Sequence, residues 1–107
     1  MFRDLFDQVS SLFSWRWPIR DGEITAVGVR YDDFAKGYRL AVLYKFDVGS
    51  DGPYTGESLS PLSLDSRDVM NMNEQFRIGS SIPVRYRPDD PSVNMLDRNA
   101  WQVLDGL

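Results

Sequence analysis

The chain predicts a mainly β fold with some helix (α+β): a small five-stranded antiparallel barrel or roll, with a helix between strands 3 and 4. An N-terminal amphipathic helix precedes it. Three observations carry this reading. Apolar residues recur at every second position around 25–46 and again around 82–86. Between them, over 65–78, they recur at every third or fourth position. Clusters of Gly, Pro, Asp and Ser separate these runs, as turn formers do.

The first segment, FRDLFDQVSSLF, sets Phe2, Leu5, Phe6, Val9, Leu12 and Phe13 on one helical stripe. Asp4 and Asp7 fall in its first turns, where the helix dipole favours negative charge. Pro18 disfavours helical geometry at Trp17 and ends the segment. The expected helix covers about 2–14. Residues 1–17 form this helical segment and 18–107 a single β-barrel-like domain.

Strand character follows. Thr25, Val27, Val29 and Tyr31 alternate on one face, a loop containing DDFAKG reverses the chain, and Tyr38, Leu40, Val42, Tyr44 and Phe46 alternate on the next strand. Period-two placement of β-branched and aromatic residues predicts a hairpin with one buried face. DVGSDGP reads as a turn, and YTGESLS as a short third strand at an edge. Gly49, Gly52 and Gly56 are placed in or near turns.

LDSRDVMNMNEQFRIG changes period: Val69, Met72 and Phe76 share a stripe, with Met70 alongside. Asp65 or Ser66 caps the start and Gly79 stops a helix over about 66–77. In SSIPVRYRPDDPSVNMLD, Ile82, Val84 and Tyr86 form the apolar side of a fourth strand. PDDP is the turn and SVNML the closing strand, because each proline fixes its own φ and extends the residue before it. Trp101, Val103 and Leu104 in the tail are expected to pack back onto the body. Closing such a sheet protects edges that would otherwise pair with other chains.

Within this order, Gly79, PVRYRP over 83–88, DDP over 89–91 and Leu96 resemble a bacterial family, domain of unknown function 3592. Its members carry a glycine, a valine-rich strand ending in tyrosine, an acid-Pro-x-Asn-Pro turn and a closing leucine. YKFDV at 44–48 and YTGE at 54–57 resemble that family's second and third strands. The likeness covers residues 22–97. Arg87 stands where the family carries an acid, and Asp90 where it carries asparagine. Many relatives have transmembrane helices beside this domain. The resemblance implies a small β-rich domain without an established activity, and it carries over no catalytic residue.

Composition limits the chemistry. No apolar run approaches the ~20 residues needed to cross a bilayer, and MFRDLFDQVSSLF does not read as a secretory leader. The expected location is cytoplasmic, or peripheral to a membrane through residues 1–17. Cysteine and histidine are both absent. That removes thiolate chemistry, the usual histidine bases and nearly all zinc sites. A hydrolase would need paired carboxylates or a Ser-Lys pair, and Asp32-Asp33, Asp89-Asp90 and Glu57 are the acids available. DVGSDG faintly suggests calcium ligands at Asp47 and Asp51, but lacks the spacing and terminal Glu of a known loop. No cofactor and no metal is expected.

Five-stranded barrels include the oligonucleotide-binding type, so single-stranded nucleic acid is a candidate partner. Tyr38, Tyr44, Phe46 and Tyr54 offer stacking surfaces, and Arg39, Lys45, Arg85 and Arg87 offer cations. The net charge of −4, from 12 Lys and Arg against 16 Asp and Glu, opposes a polyphosphate partner. The expected role is therefore a non-enzymatic interaction module, binding protein or its own copy. Its contact residues are Phe2, Phe6, Phe13, Trp15 and Trp17, with Arg85 and Arg87 beside Asp89 and Asp90 as a second patch. The aromatic helix is read three ways: packed on its own domain, docked on a partner, or lying on a membrane surface.

Overall fold

The computed structural model describes residues 16–102, and the expected helix over 2–14 lies outside them. Five strands follow one another as β1 (Ile19–Asp32), β2 (Gly37–Val48), β3 (Asp51–Leu59), β4 (Ser81–Arg87) and β5 (Asp90–Leu96). Helix α1 (Ser66–Gln75) lies between β3 and β4, and a short α2 (Asn99–Gln102) closes the described chain. The sheet order is β3-β2-β1-β4-β5, with every ladder antiparallel. Both terminal strands of that order therefore run in the direction of β1, parallel to each other. They approach closely enough for side-chain hydrogen bonds, so the sheet is a nearly closed barrel.

Period-two spacing on β2 holds throughout: Leu40, Val42, Tyr44 and Phe46 are buried and Tyr38 is half-buried. Ile82, Val84 and Tyr86 join them from β4, as their alternation requires. On β1 the expected phase holds for Val27, Val29 and Tyr31, which stand opposite Val42, Leu40 and Tyr38, and fails at Thr25. Ile24, not Thr25, is buried, and the β1–β2 register shifts between Ile24 and Ala26. One extra residue in a strand flips the side chains that follow to the other face. The strand also starts earlier than expected, because Ile19–Glu23 pair with Arg85–Ser81 of β4.

Three further boundaries move. β3 spans nine residues and begins inside the expected turn. Gly56 sits mid-strand, opposite Tyr44, and not in a turn. The β4–β5 turn narrows to Pro88-Asp89, since Asp90 pairs with Arg87 and Pro91 lies within β5.

Asp65 caps α1, its carboxylate accepting the Arg67 N–H at 2.9 Å. Val69 is fully buried, Met72 and Phe76 pack against the core, and Met70 points outward instead of joining them. Gly79 takes a φ of +90°, where a side chain would be strained, as the chain turns into β4. There its N–H donates to the Ile24 carbonyl at 2.8 Å. Trp101 packs on Phe76 with ring centroids 5.4 Å apart, as its apolar character requires. Val103 and Leu104 fall outside the described residues.

Candidate functional site

At the end of the barrel formed by the β1–β2 hairpin, Asp32 organises the loop 33–36. Its Oδ1 accepts the N–H groups of Phe34 and Ala35, each at 3.0 Å. Its Oδ2 faces Arg39 Nε at 3.5 Å. The Ala35 N–H above all, helped by Arg39 and the Phe34 N–H, holds the Asp32 carboxyl below its ordinary 3.8 against the opposing effect of desolvation. Lys36 adopts a positive φ of 58° and donates its N–H to the Asp32 carbonyl at 2.8 Å. Both groups of one aspartate thus close the loop, a local pattern that competes well with extended structure.

The loop presents Phe34, which is 99% exposed. Beside it a depression of about 390 Å³ is walled by Tyr31, Leu59, Arg30 and Arg39. Tyr31 is 51% exposed and leans edge-on against Tyr38 at 5.1 Å. Arg30 reaches across β2 to Glu57 of β3 at 2.6 Å, and Arg39 Nη1 donates to the Ser60 carbonyl at 3.0 Å. The cationic rim is therefore held in place by its own chain, and the apolar ring at its mouth is uncovered.

A second, smaller depression of about 200 Å³ lies between α1 and β4. Ile24, Phe76, Ile82 and Ala100 form its floor and its polar groups come from Gln75, Ser80, Ser81 and Asn99, none of them charged.

The residues singled out by sequence are scattered. Phe2, Phe6, Phe13 and Trp15 lie outside the described residues. Trp17 is not an exposed contact: it is buried at 9% exposure, and its carbonyl accepts Arg85 Nη1 at 2.7 Å. Arg85 is itself turned inward, its Nε donating to the buried Asp97 at 2.5 Å. Arg87 holds Asp89 at 2.8 Å, and Asp90 accepts the Ser92 hydroxyl at 2.5 Å. The expected second patch is thus a set of internal pairs. Lys45 likewise meets Glu23 at 3.2 Å. Of the rings considered for stacking, Tyr44 and Phe46 are buried and Tyr38 and Tyr54 pack against the core.

Sequence reasoning missed Phe34 and Asn94. A phenylalanine among the turn formers of DDFAKG, where no strand face is available to bury it, was the signal for the first. An asparagine inside a strand, where its type is depleted, was the signal for the second.

Residues 20–101 match the profile of domain of unknown function DUF3592, and the chain belongs to that family. Among curated proteins and solved structures, nothing matches. No helix among the described residues is long and apolar enough to cross a membrane.

Proposed function

We propose that this domain is a non-catalytic interaction module whose contact is protein, made through the β1–β2 hairpin end. The observation that carries the reading is Phe34, a fully exposed aromatic on a loop pinned by the Asp32 carboxylate. Covering a phenylalanine contributes about 1.5–3 kcal/mol. A loop already held in one conformation loses little further entropy on binding. Tyr31 and Leu59 extend the apolar contact, and the fixed Arg30 and Arg39 supply a polar rim, the anatomy of a small interface.

Protein is favoured over nucleic acid. The five-stranded, nearly closed sheet, with parallel β3 and β5, is compatible with an oligonucleotide-binding barrel. Tyr38, Tyr44, Phe46 and Tyr54, the rings suited to stacking, nevertheless face inward, and Arg39, Lys45, Arg85 and Arg87 each hold a carboxylate. An enzymatic role is disfavoured because Asp32, Glu57, Asp89 and Asp90 each have a local structural partner. The aromatic stripe of residues 2–13 supplies a second contact in this reading, and the setting is the cytoplasm.

Affinity capture from native lysate tests it, comparing the wild-type chain with Phe34→Asp and Phe6→Asp. The loss of ~1.5–3 kcal/mol corresponds to a fall of roughly ten- to a hundredfold in recovery of a partner with Phe34→Asp, at an unchanged melting temperature. The same captured set from the wild type and both variants would overturn the reading.

A further inference from the structure

One stretch of sheet edge is open. β1 pairs with β4 only as far as Glu23, and Ile24 exchanges bonds with Gly79 and Ser80. Beyond that point β1 has β2 on one side only. The direction of its backbone groups follows from its neighbour. Tyr38 exchanges both backbone bonds with Ser63. Leu40 accepts from the Ser60 N–H and donates to the Ser60 hydroxyl. These groups point away from β1, so the residues opposite them, Tyr31 and Val29, form pairs without mutual hydrogen bonds. By the same alternation Val27, opposite Val42, does too. The N–H and C=O groups of Val27, Val29 and Tyr31 therefore all face outward from β1, and among the described residues no hydrogen bond engages them there.

We infer that this edge pairs with the same edge of a second copy of the chain, strand β1 against strand β1 in antiparallel register about Val29. The sequence VGVRY over 27–31 is self-complementary in that register. Val29 faces its symmetry mate, Val27 faces Tyr31, and Gly28 faces Arg30. The valine–tyrosine pairs are the β-branched and aromatic combination that cross-strand packing favours. No like charges stand opposite, because Arg30 meets glycine and Asp32 meets Ala26. Val29 at 41% exposure and Tyr31 at 51% retain apolar surface for the second copy to cover. Within 27–31 the edge carries no Lys or Pro, and its one charge, Arg30, is paired with Glu57 of its own chain. Two identical patches related by a two-fold axis close on themselves, so the assembly stops at a dimer. The contact is small, so association depends on concentration across the micromolar to millimolar range.

Sedimentation equilibrium on the full chain tests this, with Val29→Pro and Val29→Lys beside the wild type. Proline at 29 removes an N–H that the β1–β2 ladder does not use, and its ring blocks the approaching strand. Lysine places like charges face to face at the centre of the register. The wild type is expected to rise from monomer mass towards twice that mass with concentration. Val29→Lys should remain monomeric with an unchanged circular dichroism spectrum, and so should Val29→Pro if it folds. At high wild-type concentration the Val29 and Tyr31 amides should exchange more slowly than in a dilute sample. A wild type that stays monomeric, or a dimer that survives Val29→Lys, would overturn the inference. The first result would leave the edge to a different chain, and the second would place the interface elsewhere.

Discussion

Tyr44 of β2 donates its hydroxyl hydrogen to Asn94 Oδ1 of β5 at 2.6 Å, across the one gap in the barrel that no backbone ladder spans. Asn94 Nδ2 also reaches the carbonyls of Thr55, Pro91 and Ser92, at 3.2, 3.0 and 3.2 Å. The first ties β5 to β3. The other two fill the irregularity where Pro91–Val93 have no partner on β4. Farther along the gap, the Leu96 N–H donates to the Ser58 hydroxyl at 3.1 Å. Side chains therefore close what the backbone leaves open.

Removing Asn94 should be costly. Asn94→Ala leaves three carbonyls and the Tyr44 hydroxyl short of a partner, and should lower stability by about 2–3 kcal/mol. Tyr44→Phe removes one hydrogen bond and should cost about 1 kcal/mol. Urea unfolding of both single variants and the double variant measures the coupling, expected to be non-additive because the residues touch.

Gly56 has no room for a side chain. A Cβ there would overlap Asn94 Oδ1 and lie 2.5 Å from Cζ and the hydroxyl oxygen of Tyr44. Neither neighbour can yield without breaking the seam, so Gly56→Ala should cost about 3 kcal/mol, at the upper end for overpacking. Gly28, on β1, meets nothing within 4 Å, and Gly28→Ala should be nearly neutral in the same melts.

Burial raises the Tyr44 phenol above its ordinary 10.0, and the Ser58 hydroxyl offsets this only in part. The folded state then holds this proton at pH values where the unfolded chain has released it. Stability from this group is intact below pH 10 and falls as pH climbs towards the folded-state pKa. The stability advantage of the wild type over Tyr44→Phe should therefore shrink as pH climbs above 10, measured by urea unfolding at a series of pH values. Phenolate absorbance should include one late-titrating tyrosine that Tyr44→Phe lacks.

Asp97 is buried between Arg85 and the start of α2, where it also accepts the Asn99 N–H at 3.2 Å. Asp97→Ala strands the Arg85 guanidinium, which is partly exposed, so the loss should fall below the usual range for a broken buried pair, at about 2 kcal/mol. Asp97→Asn, which still accepts a hydrogen bond, should lose less. Thermal melts of the two variants check the order.

Legibility in the sequence tracked how strongly a residue is bound by its nearest neighbours. β2 was readable because five alternating large side chains leave no other phase. α1 was readable because Asp65 and Val69 mark a cap and a buried face at helical spacing. On β1, Thr25 and the strand's start were misread because the bulge lies where β1 pairs with two strands, which periodicity does not encode. Gly56 and Asn94 hide for the same reason: their roles depend on a meeting of β3 and β5 some forty residues apart. Arg85 looked like a surface cation because Asp97 and the Trp17 carbonyl come to it from distant parts of the chain.

The most direct test of the interaction reading places a photo-cross-linking phenylalanine analogue at position 34 and, separately, at position 78, where exposed Ile78 precedes Gly79, whose N–H bonds Ile24 of β1. Illumination in cells should yield a discrete adduct heavier than the chain from position 34 and none of that mass from position 78. No adduct at 34, or the same adduct from both positions, would contradict the proposal that the pinned Phe34 loop is where this domain meets its partner.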